Sequence, residues 1–139
     1  MIKRIRKTVF CIMSFLVILY FIVYFWIIAT LHNYVQSAIN NPNAKDDLQP
    51  VMSEKCVNLF RRLVNTAYDF GYGNGYSIEI WRGYHFFIKG EFTVTIKTFA
   101  YKEDGSKGAQ NDLDNEIRVE LINGKWVITD FHFIDFYDR

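Results

Sequence analysis

The chain has 139 residues, half of them apolar and 18% aromatic, which is enough for one small domain and a membrane segment but not for two domains. Its formal charge of +1 hides an asymmetry: the four basic residues Lys3, Arg4, Arg6 and Lys7 precede a long apolar run, and twelve basic against 15 acidic residues follow it, net −3. That balance excludes nucleic-acid binding, which needs a clustered positive surface, and gives no reason to expect anionic lipid or phosphate as a ligand.

Thr8 to Leu31 holds 24 residues without a charge. As a helix rising about 1.5 Å per residue it spans about 36 Å, enough to cross a hydrocarbon core of about 30 Å with some tilt. The basic residues lie on one side only, the next charge being Lys45, so the positive-inside rule places residues 1–7 in the cytoplasm and everything after the run outside it. Tyr20, Tyr24 and Trp26 put polar-tipped aromatics in the outer half, with Trp26 a candidate for the headgroup level. A cleaved signal peptide would have a shorter core of about 7 to 15 residues, and Gln36-Ser37-Ala38 is no small-x-small cleavage site. Thr8-Val9-Phe10 before Cys11 is no lipidation motif. A retained anchor over 8–31 is the expectation. Cys56 in the soluble part cannot pair with Cys11 in the bilayer, and it reads as a small apolar residue on a buried helix face, although an odd thiol leaves a second copy of the chain as a candidate partner.

Residues 32–47 turn from weakly apolar to polar around Pro42 and read as a linker, with the anchor helix fraying through Ile39. Residues 48–139 then form the extracytoplasmic domain. Leu48, Met52, Cys56, Leu59, Phe60, Leu63, Ala67 and Phe70 recur at three- and four-residue steps, predicting one amphipathic helix of about 20 residues. Asp46 or Asp47 is its predicted cap, Pro50 falls in its first turn and Gly71 stops it.

Beyond Gly71 the period changes from 3.6 to 2, giving four strands, Tyr76–Arg82, Tyr84–Ala100, Asn115–Ile122 and Lys125–Phe136, or five if Gly90 is itself a tight turn. Arg82-Gly83 is a turn or a bulge. Asn123-Gly124 suits a type I′ turn, which sets Leu121 opposite Trp126 and Val119 opposite Ile128 on one sheltered face, with Arg118, Glu120 and Thr129 polar. The fold class is therefore α+β, one helix on an antiparallel sheet. Helix then meander, ending in Asn123-Gly124-Lys125-Trp126-Val127-Ile128, resembles the cystatin-like and nuclear-transport-factor-like group, whose small bacterial envelope members often close on such a hairpin. Nuclear-transport-factor-like domains usually carry three helices, so the resemblance implies the cystatin-like variant.

Asp130-x-His132 pairs a carboxylate with an imidazole, a combination that serves general-base chemistry or metal ligation, and a regular strand would point both to the sheltered side beside Trp126 and Ile128. His85 joins them only if the first strands cross nearby. These are the candidate catalytic residues of an alternative reading, an enzyme or small-ligand receptor with a sheet cavity. The glycine-rich Gly71–Tyr76 follows a helix and offers no phosphate site. Glu103–Asp112 reads as a long mobile hairpin loop without calcium-loop spacing. No cofactor and no metal are expected.

The aromatics outnumber what one helix covers, so Trp81, Tyr84, Phe131, Phe133 and Tyr137 are expected on an exposed face that contacts another protein. The leading expectation is thus a non-enzymatic bitopic protein with an extracytoplasmic domain that binds an envelope or exported partner. Its layout resembles the bitopic scaffold subunits of type IV secretion systems, and an immunity or exclusion factor would share it.

Overall fold

The fold is taken from a computed structural model that describes residues 2–69 and 75–133, with side chains from residue 6 onward except those of 109–111. The first helix, α1, runs unbroken from Ile2 to Asn40, 39 residues. Among the described residues it is one helix long and apolar enough to cross a membrane. Its first half exposes large apolar side chains such as Phe10, Phe15 and Phe21. From Ile27 onward one stripe turns inward: Ile27, Leu31, Val35 and Ala38 are fully buried, at steps of four, four and three residues that keep them on one helix face. Residues 32–47, expected to be a linker, are therefore helical through most of their length.

Helix α1 ends on side chains supplied from elsewhere. Arg61 donates from Nη2 to the Asn41 carbonyl (2.6 Å) and from Nε to the Ala38 carbonyl (3.3 Å). This satisfies carbonyls that the helix end leaves open and sets a cation at its negative pole. Asn41 accepts from the Asn43 N–H and donates to Asp47 Oδ2 at 2.7 Å. A short helix, α2, spans Ala44–Leu48. Asp46 and Asp47 sit inside it and cap nothing further along. The chain turns at Pro50, which has no N–H to donate to a helix, while Gln49 before it still has helical dihedrals. The third helix, α3, spans Glu54–Asp69, and its cap is Ser53, whose Oγ accepts from the Cys56 N–H at 3.2 Å. The single helix expected over this stretch is thus two. Cys56, Val57, Phe60, Val64 and Ala67 form the buried face of α3. The predicted stop at Gly71 lies outside the described residues.

Four antiparallel strands follow, β1 (Gly75–Phe86), β2 (Lys89–Tyr101), β3 (Lys107–Ile122) and β4 (Lys125–Phe133), in the order β1-β2-β3-β4. The α+β class and the four-stranded sheet are as expected. The layer above it contains α3 and also the C-terminal half of α1, where one helix was expected. Arg82-Gly83 is a bulge: Arg82 (φ 56) is skipped between the Trp81–Thr93 and Gly83–Phe92 pairs, and β1 continues to a turn at Phe87-Ile88. Gly83 is needed there, because a Cβ would overlap the Phe92 ring. The expected long loop shortens to a turn at Gly105 (φ 77), where the Lys102 N–H bonds to the Ser106 carbonyl, and β3 begins at Lys107.

The closing hairpin keeps the predicted register, with Leu121 opposite Trp126, Val119 opposite Ile128, and positive φ at Asn123 (51°) and Gly124 (76°). The core lies between helices and sheet. Phe92, Val94, Ile96, Ile117, Val119, Trp126 and Ile128 on the inner face meet the buried stripes of α1 and α3. The free edge of β4 is partly covered, since the Ile128 N–H donates to the Val51 carbonyl at 2.8 Å. Leu31→Ala is expected to cost the domain about 2–5 kcal/mol, the usual range for emptying a buried leucine site. Equilibrium unfolding of the full chain in detergent would check this; a domain indifferent to the change would place α1 outside the core.

Candidate functional site

The outer face of the sheet carries the polar residues that α1 and α3 leave uncovered. One row crosses all four strands through successive register partners, Tyr84 to Glu91, Glu91 to Arg118 and Arg118 to Asp130. The side chains follow the backbone pairing. Tyr84 Oη donates to Glu91 Oε2 at 2.8 Å, Arg118 Nε donates to Glu91 Oε1 at 2.8 Å, and Arg118 Nη1 reaches Asp130 Oδ2 at 3.5 Å. Opposite charges on facing strand positions stabilise the sheet and hold each other in place. A second row, Trp81, Thr93, Glu116 and His132, lies beside it. An open groove of about 330 Å³ runs between the rows, lined by Arg82, Glu91, Glu116, Arg118, Asp130 and His132 among others.

Two bulges create this arrangement. Arg82 is skipped on β1, and on β4 Thr129 is skipped between the Arg118–Asp130 and Val119–Ile128 pairs. Side chains alternate strictly along a strand, so one extra residue moves every later side chain to the other face. Asp130 and His132, expected on the sheltered side, are therefore exposed on the outer face, whereas Phe131 packs against the core. Asp130 is engaged with Arg118 and with the Phe131 N–H. The same shift on β1 turns His85 inward. It is buried, its ring stacks on Tyr20 at 4.2 Å between centroids, and its Nε2 lies 3.0 Å from the Tyr20 carbonyl. His85 and His132 thus sit on opposite faces of the sheet and form no common site.

The residues expected on one aromatic face also divide. Trp81 (46% exposed) and Tyr84 (59% exposed) lie outside. Phe131 and Phe133 are half-buried on the side of the core, and Tyr137 lies outside the described residues. Trp81 is held upright by its Nε1, which donates to Thr95 Oγ1 at 2.9 Å, and that hydroxyl donates to Asp114 Oδ1 at 2.6 Å. Glu79 and Lys97 pair beside them at 2.7 Å. Glu91 was not singled out from the sequence, Arg118 was read only as a polar position of the closing hairpin, and Arg82 only as part of the Arg82-Gly83 turn or bulge, which a strand interior does not favour.

The hydrogen bond from Tyr84, and next to it that from Arg118, holds the Glu91 carboxyl below the usual glutamate range. The same bond raises the Tyr84 phenol. Among the described residues no group of three or more His, Cys, Asp or Glu side chains is placed to hold a metal ion. Burial pushes the Cys56 thiol up to about 12, so its packed position leaves little thiolate for chemistry.

No family model and no curated protein matches the chain. Among solved structures it is similar to a designed NTF2-like protein, at 13% identity over 81% of this chain and 96% of that one, with a TM-score of 0.49. It is also similar to the intermembrane-space region of the chloroplast protein ARC6, at 12% identity over 78% and 91%, with a TM-score of 0.38. Likenesses at this level bear on no residue of the outer face.

Because the folded-state value of Glu91 is depressed, its contribution is present above the usual glutamate range and is lost as pH falls through the lowered value. A carboxyl-detected NMR titration is expected to show this low midpoint. Tyr84→Phe and Arg118→Met should each raise it, since both hydrogen bonds hold it down; an unmoved midpoint in both variants would contradict the bonded row.

Proposed function

We infer that the chain is a bitopic membrane protein whose α1 crosses the cytoplasmic membrane with its basic end inside, and whose extracytoplasmic domain binds another protein through the outer face of its sheet. The observation that carries the reading is the ordered outer face. Exposed Trp81 and Tyr84 stand beside Arg118, and aromatic and arginine side chains are the types that dominate protein contacts. Their positions are already fixed by hydrogen bonds, so binding would cost little further side-chain entropy.

The role is binding and not catalysis. Asp130, the carboxylate that a reaction at His132 would call on, is tied to Arg118 and to a backbone N–H. A subunit of a secretion or conjugation machine, or an immunity or exclusion factor, would use such a tethered face; an exported or envelope protein is the partner class.

A photo-crosslinking residue placed at Trp81 or Glu116 in the full chain, expressed in its own cells, should give a discrete higher-mass adduct containing a second protein. The same residue at Asn58 on exposed α3 should not. Absence of any adduct from both outer-face positions, with a monodisperse monomer after extraction, would overturn the reading.

A further inference from the structure

The turn between β1 and β2 presents Phe86, Phe87 and Ile88 at 73%, 78% and 52% exposure, the two phenylalanine rings in edge contact at 4.5 Å between centroids. Three exposed apolar residues in succession at a hairpin tip are costly in water, at about 25 cal/mol per Å² of apolar surface. Phe87 moreover adopts φ 52, a conformation that a turn ordinarily gives to glycine or asparagine. Solubility explains neither choice.

The position of the tip along α1 does. Approaching the turn, the sheet descends α1 toward its N-terminal end: Trp126 meets Trp26, Phe92 meets Tyr24 and His85 meets Tyr20. Phe86 to Ile88 continue beyond His85. Tyr20 lies twelve residues past Thr8, so about 18 Å along a helix rising 1.5 Å per residue. With Thr8 at the inner boundary of a hydrocarbon core about 30 Å thick, Tyr20 sits about 12 Å below the outer boundary. Sliding α1 outward until Ile2 reaches the inner boundary, at the cost of drawing its basic residues into lipid, still leaves Tyr20 about 27 Å from that boundary and within the core. A tip level with Tyr20 cannot then stand in water.

We propose that Phe86-Phe87-Ile88 is a membrane wedge, inserted among the acyl chains of the leaflet on the domain's side, in the same bilayer that α1 crosses. Lys89 follows the tip immediately, its charge neutralised by Glu120 at 2.8 Å. The β3–β4 turn, with Asn123, Gly124 and Lys125, rides higher. Its neighbour Trp126 contacts α1 six residues, about 9 Å, nearer the aqueous side than His85 does. The occupant is lipid and not a protein groove, because the anchor delivers the tip to that depth before any partner arrives.

The proposal rests on α1 crossing the membrane, and one experiment separates the two. The full chain, with Cys11→Ser and Cys56→Ala, would be reconstituted in vesicles of phosphatidylcholine and phosphatidylglycerol. Single nitroxide labels would be placed at Val17→Cys on α1, at Phe87→Cys or Ile88→Cys in the tip, and at Ser106→Cys in the turn between β2 and β3. Collision with oxygen and with a water-soluble nickel chelate reports depth. Lipid-like collision ratios at 17 and at 87 or 88, severalfold above the ratio at 106, are expected. A lipid-like label at 17 with nickel-accessible labels at 87 and 88 would overturn the wedge and leave the anchor standing. Labels at 87 and 88 shielded from both reagents would mean that a second copy or another protein covers the tip, and would also overturn it. A nickel-accessible label at 17 would overturn the anchor and the wedge together.

Discussion

One helix does two jobs, and the rest of the molecule depends on their being continuous. Among the described residues the apolar half of α1 is exposed except around Tyr20, Val23 and Tyr24, while its second half supplies Ile27, Leu31, Val35 and Ala38 to the core. Burying such side chains contributes about 1.5–3 kcal/mol each for the larger ones. The helix cannot bend away from the domain without losing that burial and the Arg61 bonds at its end. A flexible linker of 16 residues would instead let the domain wander over about 20 Å. The continuous helix removes that freedom and fixes which end of the sheet faces the N-terminal half of α1.

The two faces of the sheet follow from this. The inner face has two helices on it and is apolar, with His85 admitted because the Tyr20 and Tyr24 rings and the Tyr20 carbonyl receive it. Among the described residues no helix covers the outer face, and its side chains satisfy one another across strands, from Tyr84 through Glu91 and Arg118 to Asp130. The bulges at Arg82 and Thr129 lie on the two outer strands close to this row. Bulges increase local twist, and the groove lies where they do so.

How much of this could be read in advance depended on whether a feature was local. The Asn123-Gly124 turn fixed its own register, so the Leu121–Trp126 and Val119–Ile128 pairs were legible. The second role of α1 was not, because a stripe at Ile27 and Leu31 cannot be seen in a run that is apolar on every side, and Val35 and Ala38 then look like a fraying end. Pro50 did mark a helix break, yet the apolar spacing continued across it. The bulge at Thr129 left no sign, since threonine is an ordinary strand residue, and that one residue reversed Asp130 and His132. Candidate chemistry at a strand end is only as reliable as the alternation leading to it.

The direction of the outer face sets what kind of partner can reach it. Successive contacts at Tyr24 and Tyr20 by Phe92 and His85 show that β1 and β2 run along α1 and not across it. If α1 stands along the membrane normal, the strands do too, and the outer face looks sideways, with the Tyr84–Asp130 row at the level of the outer leaflet and Trp81 farther from the tip. Charges of both signs in the row between Glu91 and Asp130 would attract a complementary surface only within about a Debye length, about 8 Å at physiological salt. A partner diffusing in the bulk phase meets that face rarely and must approach it edge-on to the bilayer. A partner held in or on the same membrane meets it in the right orientation by lateral diffusion, which raises the effective concentration without any additional contact. With α1 across the membrane as proposed, the geometry of one unbroken helix would favour membrane-bound partners before any side chain does.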